Sequence, residues 1–200
     1  MDEQAFLVIA LVCSTGGLDA LTRVLGPLPA DFPGALLVLQ HIDPTAHSGL
    51  TAIMGRRTAL SVLEAAEGIK LKPGQVLVAP PGSHTLVTHQ GTVALIESGA
   101  RPPYRPSADL LLTSLALAVG PRAVAVVLSG HGIDGATGAT AVHRFGGVVI
   151  ASDEASSTEF SMPRATIGRD TGLNHVVALD DIPALLVSLA AAPEVKTTGD

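Results

Sequence analysis

Three residues in this 200-residue chain could together perform nucleophilic chemistry. Ser14 lies in VCSTGG, His41 in LQHID and Asp134 in SGHGIDG. A serine hydroxyl is a poor nucleophile until a base accepts its proton, and the usual base is a neutral histidine oriented by a carboxylate. Such a triad is recognised by geometry, so wide separation along the chain does not count against it. Thr15, Gly16 and Gly17 follow the serine, and a helix starting near Gly16 would aim free backbone N–H groups at the site, where they could stabilise an oxyanion. Each residue also has an ordinary reading. Ser14 could cap a helix, His41 could be a loop histidine, and Asp134 beside Gly135 could be a turn or cap residue.

Competing chemistries are weaker. Cys13 is a rival nucleophile, but it ends an apolar run and reads as a small core residue. STGG could cradle a phosphate, yet it lacks both the P-loop ending GK[ST] and the dinucleotide pattern G-x-G-x-x-G. It also lacks the G-x-S-x-G of a nucleophile elbow. His41, His131 and Asp134 show no metal-ligand spacing, so no metal is expected. With aromatic residues at 2% and a net charge of −6, base stacking and phosphate-backbone binding are both disfavoured, and no nucleic-acid partner is expected. One cysteine excludes an internal disulfide. The N-terminus MDEQ is acidic, unlike a secretory signal, and no run approaches the ~18 apolar residues that span a bilayer. The chain therefore reads as soluble and cytoplasmic.

These residues need elements to carry them. FLVIALVC (6–13), ALLVLQ (35–40) and AVAVVLS (123–129) read as buried strands. LDALTRVL (18–25) spaces its leucines along one helical face and stops at Gly26-Pro27. A helix is expected near 46–57. The middle segment, from KPGQVLV through TLVTHQGTVALIE, reads as an antiparallel edge or flap, with a hairpin at Gln90-Gly91. Ser107 is expected to cap a helix over ADLLLTSLALAV, with Asp109 near its positive end. GATGATAVHRF is read as helix, GGVVIAS as strand, 163–170 as a short helix, 175–178 as a last strand and DDIPALLVSLAAA as a closing helix. The alternation implies an α/β fold: a doubly wound, mostly parallel sheet with helices on both faces and an antiparallel β-hairpin insertion. Ser14, His41 and Asp134 then each follow a strand, where open sheets of this type place their ligands. Residues 6–192 are read as one domain and 193–200 as a flexible tail.

STGG, QH, YRPSAD, LSGHGIDGATG and DEASSTEFSMPRA together resemble the catalytic domain of the CheB chemotaxis methylesterases, over residues 6 to 189. The resemblance implies hydrolysis of glutamate methyl esters on chemoreceptors, with glutamine deamidation as a second activity and no cofactor. It implies Ser14 as nucleophile, His41 as base and Asp134 as the residue that holds the tautomer of His41. The expected partners are methylated cytoplasmic receptor helices, met by a monomer. Arg101, Arg105 and Arg164 lie in the resembling loops, where they are either surface ion-pair formers or contacts for an acidic receptor helix; Met162 reads as core. Three features depart from the family. Val12-Cys13 replaces Gly-Ala, His131 replaces the methionine of G-M-G-x-D-G, and IDPTAHSG replaces MP-x-x-F. His131 is read as a bystander, a substrate contact or a competing partner for Asp134. The chain starts a few residues before its first strand, leaving no room for the family's receiver domain, so a catalytic domain without phosphorylation control in cis is expected, stand-alone or a fragment. Two alternatives stay open: a related esterase or amidase with another substrate, and a non-catalytic receptor-binding module.

Overall fold

The computed structural model describes residues 6–45, 48–99, 104–169 and 173–191. The expected tail at 193–200 and Arg101 lie outside the described residues.

The three longest apolar runs form the centre of a sheet. They are β1 (Val8–Cys13), β2 (Ala35–Gln40) and β7 (Ala123–Val127). All residues of β1 and β7 are buried, as expected for strands covered on both faces. The flanking strands are β3 (Ser61–Glu64), β4 (Gln75–Val78), β8 (Val148–Ser152) and β9 (His175–Val177). The order is β3-β4-β2-β1-β7-β8-β9, and every pairing is parallel. The chain leaves β1 for β2 on one side and returns to β7 on the other, so the topological switch point lies between β1 and β7.

Strand alternation sends side chains into two separate cores. Val8, Ala10 and Val12 pack with Leu111, Leu112 and Leu115 of α3 (Ala108–Val119) and Val142 of α4 (Ala136–Arg144). Ile9, Leu11 and Cys13 face the other way, toward Leu21 and Val24 of α1 (Gly17–Leu25), Met54 of α2 (Leu50–Met54) and Leu186 of α6 (Ile182–Ala191). α5 (Ser161–Ile167) follows β8 and contributes Met162 to the first core.

The doubly wound reading holds, with local corrections. The middle segment is not all flap: its first strand, β4, joins the main sheet in parallel, and β3, which was not expected, pairs with β4 at the edge. The hairpin, β5 (Ser83–Val87) and β6 (Val93–Glu97), is a separate two-stranded sheet rather than an edge of the first. β3 was hard to read because it is a half-exposed edge of four residues with no buried position. The helix expected at 46–57 is only α2, bounded by Gly49 and Gly55. α5 begins at Ser161, placing Pro163 in its first turn, where a missing N–H costs nothing. No helix among the described residues is long and apolar enough to cross a membrane.

Candidate active site

Ser14 leaves the end of β1 at the switch point. Its N–H donates to the Ser129 carbonyl just beyond β7 (2.9 Å), which ties the two turns together. Ser14 is not a helix cap. α1 is capped by Gly16, with no side-chain hydrogen bond. Gly16 sits at φ +79°, and a Cβ there would meet Thr158 at 2.6 Å and Ser129 Oγ at 2.7 Å, so both backbone and space demand glycine. The Gly17 N–H is spent on the Ser14 carbonyl (2.9 Å). The Thr15 and Gly16 N–H groups have no acceptor among the described residues.

Ser129 clamps this turn from below. It is fully buried, and its Oγ donates to the Thr15 carbonyl (2.7 Å) while accepting from Glu159 N–H (2.9 Å). The Gly130 N–H donates to the Glu159 carbonyl (2.9 Å). Met162 is buried core, as the sequence suggested, with its Sδ 2.3 Å from where a Gly130 Cβ would stand.

His41 follows β2, and its N–H donates to the Cys13 carbonyl (3.0 Å), which seats it beside the Ser14 turn. Its Nε2 lies 2.9 Å from Asp134 Oδ2, with His41 11% and Asp134 3% exposed. Tyr104 stacks on the imidazole, with ring centroids 5.4 Å apart and an interplanar angle of 24°.

Asp134 is held as an anion by the start of α3. Its carboxylate accepts from Ala108 N–H (2.7 Å), Asp109 N–H (3.0 Å) and Ser107 Oγ (3.2 Å). Ser107 is the α3 cap expected from the sequence, also accepting from Leu110 N–H. Burial alone would push the Asp134 carboxyl up. The hydrogen bond from His41 and those from Ala108 and Asp109 outweigh it and hold the group below the usual carboxylate range. Asp109 returns the arrangement: its Oδ1 accepts from Gly135 N–H (3.0 Å) and Gly138 N–H (2.7 Å) at the start of α4. An ionised Asp134 only accepts, so His41 Nε2 donates to it, and in the neutral imidazole Nδ1 then keeps its lone pair. A neutral ring held in this way can accept a proton at Nδ1.

The remaining sequence candidates are placed as follows. His131 does not compete for Asp134. Its Nδ1 lies 3.1 Å from Glu159 Oε2, with the imidazole 67% exposed. Hydrogen bonds from Ser161, with the nearby His131 and Arg164, hold the Glu159 carboxyl below its usual range. Arg105 Nη1 donates to the Gly99 carbonyl (2.9 Å). Arg164 lies over the Phe160 ring (5.3 Å) and reaches Glu154 (3.3 Å), on the surface. Cys13 is buried, and desolvation pushes its thiol up to about 12, so it is no nucleophile near neutral pH. Tyr104, Ser129 and Glu159 were not singled out from the sequence. The one available signal was that Tyr104 is the only tyrosine of the chain.

Known proteins resemble this chain in both sequence and fold. Residues 9–186 match the family model described as CheB methylesterase. The chain is 39% identical over 193 residues to a Koribacter versatilis protein-glutamate methylesterase/protein-glutamine glutaminase, covering 95% of this chain and 53% of that protein. It is 41% identical over 160 residues to the Myxococcus xanthus protein-glutamate methylesterase FrzG, covering 80% of this chain and 48% of FrzG. The crystal structure of the Thermotoga maritima CheB methylesterase catalytic domain superposes with a TM-score of 0.88 at 31% identity, over 92% of this chain and 99% of that one. The chain thus spans about half the length of the curated relatives it matches.

Proposed function

The chain belongs to the CheB methylesterase family, and from that premise we propose that it hydrolyses glutamate methyl esters on the cytoplasmic helices of chemoreceptors, with Ser14, His41 and Asp134 as its triad. The observation that carries this reading is the His41–Asp134 pair at the switch point, beside the turn that presents Ser14.

His41 Nδ1 takes the proton of Ser14 Oγ as that oxygen attacks the ester carbonyl. The developing oxyanion is met by the Thr15 and Gly16 N–H groups, both without an acceptor among the described residues. Asp134 stabilises the imidazolium and keeps its orientation, with the charge fixed by the N-terminus of α3. His41 then protonates the departing methoxide, which leaves as methanol. Water, activated by the same nitrogen, attacks the acyl-enzyme and releases the glutamate carboxylate and free Ser14. A glutamine side chain would follow the same route with ammonia leaving, the second activity carried in the name of the Koribacter relative. The triad needs no cofactor.

The domain is taken to run over residues 6–192, working as a monomer in the cytoplasm. His131, in the turn after β7, Arg105, in the loop before α3, and Arg164, on α5, are read as contacts for an acidic receptor helix. The test is methanol release from methylated receptor segments. We expect release by the wild type, loss in Ser14→Ala, and in Arg105→Ala a KM raised more than kcat is lowered. Absence of release by the folded wild type, on a substrate that a known methylesterase cleaves, would transfer the reading to another ester or to receptor binding alone.

A further inference from the structure

The β5–β6 hairpin holds a histidine that touches the site only through its supports. His84, on β5, is 4% exposed. Its Nδ1 accepts the Ser107 N–H (3.0 Å). Ser107 belongs to the turn that holds Asp134 through Ser107 Oγ, Ala108 N–H and Asp109 N–H. Lower down, Val87 N–H of the same strand donates to Ser114 Oγ of α3 (3.0 Å). β5 therefore lies along α3 and grips the end of the helix that binds the carboxylate.

We propose that His84 is a positioning residue for the triad: as a neutral imidazole it fixes the Ser107 turn, and through it the orientation of Asp134 and His41. The inference rests on the reading of Asp134 and His41 as the catalytic pair. The chemistry is specific in its proton count. A backbone N–H needs an acceptor, so Nδ1 must be bare and the proton must sit on Nε2. Nε2 is enclosed without a hydrogen bond of good geometry. An imidazolium carries N–H on both nitrogens and would turn the Ser107 N–H away, withdrawing three donors from Asp134 together. Burial makes the neutral form the favoured one, pushing the His84 imidazolium below its ordinary range; the Ser98 backbone and the Asp134 charge oppose this, and Arg105 adds to it. Asp134 and Arg105 are the charged groups that act on His84.

The experiment is the rate at which a fluorophosphonate phosphonylates Ser14, with fluoride leaving, in the protein across the acid-to-neutral range, for the wild type, His84→Ala, His84→Asn, Asp134→Asn and Ser14→Ala. Asparagine places Oδ1 near the position of Nδ1 and accepts the same N–H, but does not titrate. We expect His84→Ala to label about tenfold to hundredfold more slowly, the effect of a misplacement of about 1 Å, and His84→Asn to restore most of the rate. We also expect the acid limb of the wild type to be steeper than that of His84→Asn, which lacks the ionisable ring at position 84. Should His84→Ala fail to fold, the His84→Asn pair of rate and slope decides. Labelling of His84→Ala at the wild-type rate would overturn the proposal, as would His84→Asn sharing both a slow rate and the wild-type slope. If Asp134→Asn labels at the wild-type rate, the reading of the site falls and the inference with it. If Asp134→Asn is slow and His84→Ala is not, only the inference falls.

Discussion

At the scale of single residues, Asp134 is the charge on which the site depends. Five groups converge on its carboxylate or on its turn: His41, Ser107, Ala108 and Asp109 donate to Asp134, and Gly135 is drawn to Asp109. An amide at this position can donate to His41 as well as accept from it, and so permits the tautomer in which Nδ1 is blocked. Asp134→Asn is therefore expected to lower kcat about 10⁴-fold, the loss met when a triad carboxylate becomes an amide; steady-state hydrolysis near neutral pH checks it. The same substitution has a signature in stability. The folded carboxyl titrates below its usual range, so its contribution is fully present above the ordinary aspartate range. It is lost as pH falls through the depressed folded value. Thermal melts across the acid range should show a shallower acid decline in Asp134→Asn than in the wild type.

At the scale of elements, the site is built from helix starts that bind one another's anions. α3 binds Asp134 from the turn before α4, and Asp109 from α3 binds the start of α4. The exchange ties two helices together on one face of the sheet and holds the carboxylate that meets His41. The loop after β7 adds a tight fit. Gly132 lies at φ +94°, and a Cβ there would stand 2.6 Å from the Tyr104 hydroxyl. Gly132→Ala must distort the loop or push Tyr104 off His41. We expect a backbone cost of order 1–3 kcal/mol and a fall in kcat that is not additive with that of Tyr104→Ala, because both act on one stacking contact. Wild-type kcat in Gly132→Ala would show that the ring is not needed to hold His41.

At the scale of the whole molecule, a core almost without aromatic side chains carries the site. Phe32 is the one aromatic among the largest fully buried residues, and the remainder is close-packed aliphatic. Leu37, in the centre of β2 and 1% exposed, is expected to cost about 2–5 kcal/mol when cut to alanine, in step with the cavity left behind. Chemical denaturation measures this, and kcat per folded molecule should stay near that of the wild type because Leu37 lies in mid-strand, four residues before His41. Much of this architecture was legible in the chain. Buried strands show as continuous apolar runs, and a capped helix shows as Ser107 before an apolar stretch, because both depend on neighbours a few positions away. Ser14 and His41 stood out for the same reason, each directly after such a run, and Asp134 stood out in the glycine-rich turn five residues beyond another. The four-residue edge strand β3 and the separation of the hairpin from the main sheet were not, since pairing partners are chosen by packing rather than by local pattern. Nor was any relation among side chains. His41 and Asp134 stand 93 positions apart, and only the parallel register of β1 with β2 and β7 brings their strand ends together. The sequence by itself determined the alternation of elements and the residue types at the strand ends. The tertiary structure alone decided which nitrogen of His41 faces the acid, that His131 turns to Glu159, that Tyr104 stacks on His41 and that His84 meets the Ser107 turn, because each of these is a contact between segments with no local signal of one another.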